Sequence, residues 1–163
     1  ADMVLPIKQV PRPRDTVQDM LAAKGLGQAA VIHSVGPRDT VYEAIHKMTE
    51  TRVGALLVME GDKLAGIVSE RDYTRKVILQ GRASKDTPVA DIMTANVFTV
   101  GPDTHLAECL QLATERSIRH LPVVQGEQVL GVLSVGDLLR AVLVQQAEQI
   151  EKLNSFIGSD YPT

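Results

Sequence analysis

Gly66-Ile67-Val68-Ser69-Glu70-Arg71-Asp72 and Gly131-Val132-Leu133-Ser134-Val135-Gly136-Asp137 carry one pattern, Gly, two aliphatic residues, Ser, two variable residues and Asp, 65 positions apart. Outward from these stretches the correspondence continues. Gly61 matches Gly126, Val58 matches Val123, Leu56 matches Leu121, Glu43 matches Glu108, and Val35-Gly36-Pro37 matches Val100-Gly101-Pro102. From residue 35 to residue 77 the offset holds without insertion or deletion, and fourteen pairs are identical. A fixed internal period takes precedence over any single motif, because it decides how each motif is read. Two copies are too few for a solenoid. They predict two similar small folds packed on each other about a pseudo-twofold axis.

Each copy reads strand, helix, strand, strand, helix. In the first, Ala29 to Val35 is an expected strand that Gly36-Pro37 ends, and Thr40 to about Thr51 is an expected helix with Val41, Ala44, Ile45 and Met48 at helical spacing. Ala55–Met59 and Lys63–Val68 flank the turn Glu60-Gly61-Asp62 and predict a hairpin, and Ser69 opens a helix reaching about Leu79. The second copy repeats this with strands at Val97–Val100, Leu121–Val124 and Gln128–Leu133, a helix at Thr104–Arg116 and another from Ser134. Thr40 and Thr104 read as N-caps. The fold class is therefore α+β, two β-α-β-β-α repeats. Thr16 caps a lead-in segment, Val17-Gln18-Asp19-Met20-Leu21, echoed by Val89-Ala90-Asp91-Ile92-Met93 at a longer offset of 72. The expected organisation is an irregular, proline-bearing arm at 1–15, a first repeat with its lead-in at 16–80, a polar linker at 81–88, a second repeat at 89–145 and a helical extension and tail at 146–163.

Composition narrows the class of function. Hydrophobic residues make up 44% and charged residues 23%, as in a globular chain. No apolar run approaches the ~18 residues of a membrane span, and Ala1–Asp15 has no apolar signal core, so neither membrane nor secretion is expected. The lone Cys109 suits a reducing compartment, and a cytoplasmic location is expected. A net charge of −3 and an aromatic content of 3% argue against nucleic-acid binding.

Ser69-x-x-Asp72 and Ser134-x-x-Asp137 each stand where a strand enters a helix, and two readings compete. Ser followed by an acid three residues on is a capping box that satisfies backbone N–H groups by itself. Read as a pair, each placed after Gly-x-x, the same residues suit a ligand: a carboxylate takes two ribose hydroxyls, while the serine hydroxyl and nearby N–H groups receive phosphate oxygens. A residue that caps can also grip, so the readings are compatible. His105 and Cys109 have metal-ligand spacing but no second pair to complete a site. Glu43 and Glu108 recur without a His or Lys partner nearby in the sequence. The chain contains no P-loop, GxGxxG, GxSxG or HExxH.

The repeated V-x-D-x-M, Gly-Pro, Arg119-His120-Leu121-Pro122-Val123-Val124 and Gly-x-x-Ser-x-x-Asp motifs together resemble a tandem pair of CBS domains, the cystathionine-β-synthase-type or Bateman modules. The resemblance spans about residues 16–145. It implies a non-catalytic regulatory module that binds adenosine-containing ligands (AMP, ADP, ATP, NAD(H) or S-adenosylmethionine) in clefts between the repeats. It further implies that Asp72 and Asp137 hold ribose, that Ser69 and Ser134 lie near ribose or phosphate, and that His33 and the region of Thr99 line the base pocket. The copies differ where phosphate would sit. The second has Arg119-His120 ahead of Leu121-Pro122 where the first has Gly54-Ala55; the first has Arg71 where the second has Gly136. Each repeat thus offers one Arg-centred anion contact, and the two sites are expected to be unequal in ligand or phosphate length.

Two functions follow: a stand-alone nucleotide sensor read by an unidentified regulated partner, or a dimerisation scaffold with vestigial sites. The last helix bears on this choice. Leu139, Val142, Leu143, Ile150, Leu153 and Ile157 form one stripe, either covering the helix's own core or making a homodimer contact. No acid–base or nucleophile constellation supports an enzyme.

Overall fold

The computed structural model describes residues 16–23 and 32–158. Helix α1 (Val17–Ala23) precedes a first repeat of β1 (Ser34–Val35), α2 (Val41–Thr51), β2 (Ala55–Glu60), β3 (Lys63–Ser69) and α3 (Glu70–Tyr73), which runs on into a π-helical turn at Thr74–Ile78. A 3₁₀ turn at Val89–Asp91 leads to α4 (Leu106–Arg116), β4 (His120–Gln125), β5 (Gln128–Ser134) and the long α5 (Val135–Gly158). The first sheet has the order β1-β2-β3 and the second pairs β4 with β5. Among the described residues the mixed helix-and-strand architecture is the α+β pair of repeats that the sequence predicts.

Local chemistry explains the elements. Helix α2 starts on a full capping box: the Thr40 hydroxyl accepts the Glu43 N–H and the Glu43 carboxylate accepts the Thr40 N–H, at 3.1 and 3.0 Å. Its buried face is Val41, Ala44 and Met48. Both hairpins turn through a glycine with positive φ, Gly61 at 62° and Gly126 at 61°, in the first place of a two-residue loop. The pairing in both shifts register two residues before the first strand of the hairpin ends, between Val58 and Met59 and between Val123 and Val124. The internal repeat therefore extends to the bulges.

Three expectations need correction. Thr104 is not an N-cap. His105 holds that position without a side-chain cap, and the Thr104 hydroxyl instead accepts the Gly101 N–H at 3.0 Å. Asp39 does the same for Gly36 at 2.7 Å, so Thr104 closes a turn before the helix. Val97–Val100 is not a strand either. Among the described residues only Val100 of this stretch pairs, with Val123. In the first repeat Ser34 and Val35 are the described residues of this strand that pair with β2, and the expected strand residues Ala29–Val31 lie outside the described residues, as do the 1–15 arm and the tail beyond 158.

The lead-in segments supply the third correction. Sequence order groups Val17–Leu21 with the first repeat, but Val17, Met20 and Leu21 are buried among Val100, Leu106, Cys109, Leu121 and Leu133 of the second. Val89 and Ile92 are buried among Val41, Met48, Leu56 and Val68 of the first. The docking is the same at both ends. Val17 and Gln18 donate to the Thr104 and Pro102 carbonyls at 2.9 Å; Val89 and Ala90 donate to those of Asp39 and Pro37 at 2.8 and 2.9 Å. The 81–88 segment is accordingly held in place, with Thr87 buried and its carbonyl accepting the Val41 N–H. Each repeat completes its core with a segment that precedes the other, so the two cannot separate without opening both cores.

Candidate functional site

Both Ser-x-x-Asp motifs cap. The Asp72 carboxylate accepts the Ser69 N–H at 2.9 Å and the Ser69 hydroxyl at 3.1 Å, while Ser69 Oγ accepts the Asp72 N–H at 3.3 Å. Ser134 and Asp137 are joined by the matching pair of bonds at 3.4 and 3.1 Å. Each aspartate has a basic neighbour on its own helix: Lys76 Nζ lies 3.1 Å from Asp72, and Arg140 lies 2.8 Å from Asp137. The side chains retain 16% and 21% of their surface, enough to meet a ligand while oriented by the cap.

Each aspartate opens into a cleft walled by the other repeat. The Asp72 cleft, about 530 Å³, is formed by Ser69–Asp72 of the first repeat with Asn96–Phe98 and Arg116–His120 of the second. The Asp137 cleft, about 350 Å³, sets Ser134 and Asp137 against Ile32, His33 and Arg52–Ala55 of the first. The two are pseudo-equivalent because the segment preceding β4 faces α3 as the segment preceding β2 faces α5. Within each repeat the same backbone bond ties the helix that carries the aspartate to the residue before its own hairpin: the Glu70 N–H donates to the Gly54 carbonyl at 3.0 Å, and the Val135 N–H to the Arg119 carbonyl at 2.9 Å.

Of the residues singled out by sequence, Ser69, Arg71, Asp72, Arg119 and His120 come together in the Asp72 cleft, and His33, Ser134 and Asp137 in the other, which His120 also lines. Thr99 and Pro122 line neither. Thr99 faces solvent one residue beyond the wall formed by Asn96, Val97 and Phe98. Pro122 is a buried β4 residue that pairs with Val132 and whose carbonyl accepts the Val100 N–H. Arg71 and Arg119, one from each repeat, share a single cleft. Arg116 joins them, with its guanidinium 4.6 Å from the centre of the Phe98 ring. Sequence reasoning missed Arg116 and Arg52. The signal for Arg116 lay in Arg116-Ser117-Ile118-Arg119, where the same helix end that leads to Arg119 carries a second arginine.

The helix ends before β2 and β4 are unusual in the same way. Arg52 and Ser117, at matching positions, adopt left-handed φ of 57° and 53° as C-caps, a conformation normally left to glycine. Arg52 lines the Asp137 cleft and Ser117 the Asp72 cleft. His120 stands between the clefts. Burial holds its imidazole below the ordinary value of 6.5, reinforced by Arg119 and opposed by Asp137 and Glu70. Cys109 is fully buried and its thiol is pushed up to about 11, first by burial and then by Glu108, so it is held as a neutral thiol. No grouping of three metal-binding side chains occurs among the described residues. No described helix is long and apolar enough to cross a membrane.

Two intertwined units, each a helix, a hairpin and a second helix, with pseudo-equivalent clefts between them, define a tandem α+β module. The CBS-domain family model matches residues 30–78 and 89–144, and the chain belongs to the CBS-domain family. It is similar to the Arabidopsis thaliana protein CBS domain-containing protein CBSX3, mitochondrial, with 42% identity over 90% of this chain and 73% of that one. It spans only 21% of a longer Arabidopsis CBS-domain protein to which it is 35% identical. Among solved structures it is similar to a putative signal-transduction protein with CBS domains from Burkholderia ambifaria, with a TM-score of 0.75, 49% identity, and coverage of 80% of this chain and 96% of that one. The fold is also that of a Pyrobaculum aerophilum CBS domain protein complexed with AMP, with a TM-score of 0.68, 24% identity, and coverage of 82% and 98%.

Proposed function

We propose that this chain is a non-catalytic sensor module that binds an adenosine-containing ligand between its two repeats and passes the signal on through its packing. The carrying observation is that each capped aspartate faces a wall supplied by the other repeat, so one ligand touches both. Asp72 and Asp137 each hold a ribose diol, and Ser69 and Ser134 support the sugar-phosphate end. A ligand that prefers one relative arrangement of the repeats shifts the population toward it, and a partner protein or dimer mate reads the shift. AMP, ADP, ATP, NAD(H) and S-adenosylmethionine share the adenosine end and are the ligand class, and AMP is the ligand in the Pyrobaculum aerophilum relative. A reducing compartment such as the cytoplasm suits the lone thiol of Cys109.

A homodimer is part of the proposal. Ile150, Leu153, Phe156 and Ile157 of α5 are more than half exposed and lie beyond the second repeat's own core, which favours a second copy as their cover.

The test is thermal unfolding of the purified chain, first freed of carried-over nucleotide, against AMP, ATP, NAD, NADH and S-adenosylmethionine. A ligand that binds only the native state stabilises it by about 2.7 kcal/mol at a hundredfold excess over its dissociation constant. A selective rise that disappears in Asp72→Ala/Asp137→Ala supports the reading. A flat response to every ligand, or an unchanged rise in the double variant, overturns the adenosine role.

A further inference from the structure

The pseudo-symmetry allows a position-by-position comparison of the two clefts. In the Asp72 cleft three wall positions carry arginine: Arg71, Arg116 and Arg119. Their counterparts 65 residues away are Gly136, Thr51 and Gly54, all uncharged. The exchange runs the other way at one position, where Arg52 of the Asp137 cleft corresponds to Ser117. With each aspartate matched to its own Lys76 or Arg140, the first cleft sets three guanidinium groups against one further carboxylate, Glu70. The second has one guanidinium. Among the described residues Arg71 and Arg119 make no ion pair, and Arg116 is held over Phe98 and not by an acid. Their forks are therefore available to an anion.

Space follows charge. The Asp72 cleft is the larger, and a further cavity of about 350 Å³ adjoins it, lined by Arg71, Thr114, Ser117 and Arg119 among others. Arg71 and Arg119 border both cavities. A phosphate chain growing from a ribose at Asp72 would meet, in the walls of these cavities, two planar donors able to bind phosphate through paired hydrogen bonds. At the matching places around Asp137 it meets Gly54 and Gly136.

Resting on the adenosine reading above, we infer that the clefts divide ligands by phosphate number: the Asp72 cleft takes an adenine nucleoside di- or triphosphate, and the Asp137 cleft takes a monophosphate or an adenosine ligand without phosphate. Selectivity resides in Arg71 and Arg119, both on exposed positions where substitution leaves the cores alone.

The experiment is isothermal titration of the full chain with AMP, ADP and ATP, on the native sequence and on Arg71→Gln/Arg119→Gln, with circular dichroism to confirm the fold. The expected result is one site that prefers ATP or ADP to AMP by roughly tenfold or more. In the double variant that preference falls to near unity, while AMP binding at the second site stays within about twofold. Equal affinity for all three nucleotides, or an ATP preference that survives the double substitution, overturns the division by phosphate number and leaves the adenosine reading standing. Binding of none of the three overturns this inference, and the adenosine reading falls with it only when NAD, NADH and S-adenosylmethionine also fail to bind.

Discussion

Gly54 and His120 meet where the two clefts adjoin: a β-carbon on Gly54 would lie 3.9 Å from both Cε1 and Nε2 of the His120 ring. Both residues line both clefts. The pseudo-twofold relation is broken here, since Gly54 corresponds to Arg119 and His120 to Ala55, and one imidazole takes the space between the repeats. A methyl at Gly54 is an ordinary contact, so Gly54→Ala should shift stability by no more than about 0.5 kcal/mol. Leucine has no such room. Gly54→Leu should weaken adenine-nucleotide binding by roughly tenfold or more in both clefts, the 1–3 kcal/mol of overpacking being met by displacing His120. Titration calorimetry checks this, and loss in one cleft alone would contradict the shared wall.

Burial of neutral His120 gives stability a pH dependence of definite sign. Its folded-state pKa lies below the ordinary 6.5, first because of burial and then because of Arg119. The unfolded chain therefore binds a proton that the folded chain refuses, and stability rises with pH in that window. The His120 contribution should be fully present above pH 6.5 and be lost as pH falls through 6.5 toward the lowered folded value. Urea unfolding between pH 5 and 8 should show this slope in the native sequence and a shallower one in His120→Gln. Equal slopes would show that the imidazole titrates freely in the fold.

The two β-strand glycines that match in sequence should respond differently to alanine. A β-carbon on Gly66 would sit 2.7 Å from the Thr94 carbonyl oxygen and 2.8 Å from Met93 Sδ, where backbone pairing between Ile67 and Thr94 fixes the approach. Among the described residues Gly131 meets nothing nearer than Leu21 Cδ2 at 4.0 Å. Gly66→Ala should cost about 1–3 kcal/mol. Gly131→Ala should be neutral or stabilise by up to about 1 kcal/mol, because alanine loses less backbone freedom on folding. Denaturant midpoints of the two variants measure the difference.

Removal of the distal half of α5 tests the dimer. Leu138 at its base is fully buried, whereas Ile150, Leu153, Phe156 and Ile157 contribute little to the fold of one copy. Truncation after Ala147 should lower the oligomeric order in light scattering and leave the far-UV spectrum of the remaining chain native. An unaltered assembly mass would assign the contact elsewhere, with the exposed Ile78 and Leu79 of the first repeat and their counterparts Leu143 and Val144 as the next surface to vary.

The left-handed C-caps and the capping boxes show how much of the site is local. Ser69 with Asp72, and Ser134 with Asp137, are bonded across three residues, and the hairpins at Gly61 and Gly126 turn within two. Interactions of such short reach are written in neighbouring residues, which is why the repeat, its elements and both aspartates were legible before any coordinate. Thr104 was misread because Thr and Asp close the same turn by different atoms, and the one-residue displacement of the cap from Thr104 to His105 is invisible to a rule that looks for hydroxyls.

The sequence by itself determined the doubled helix–hairpin–helix unit, the aspartates bonded in their capping boxes and the inequality of the two copies, since period, turn chemistry and capping act over a few residues. Only the tertiary structure decided that the lead-ins exchange cores, that Arg71 and Arg119 share one cleft with Arg116, and that Thr99 and Pro122 stand outside both. These depend on which faces of two similar units are buried against each other. Residues far apart in the chain settle that burial jointly, so no local pattern contains it.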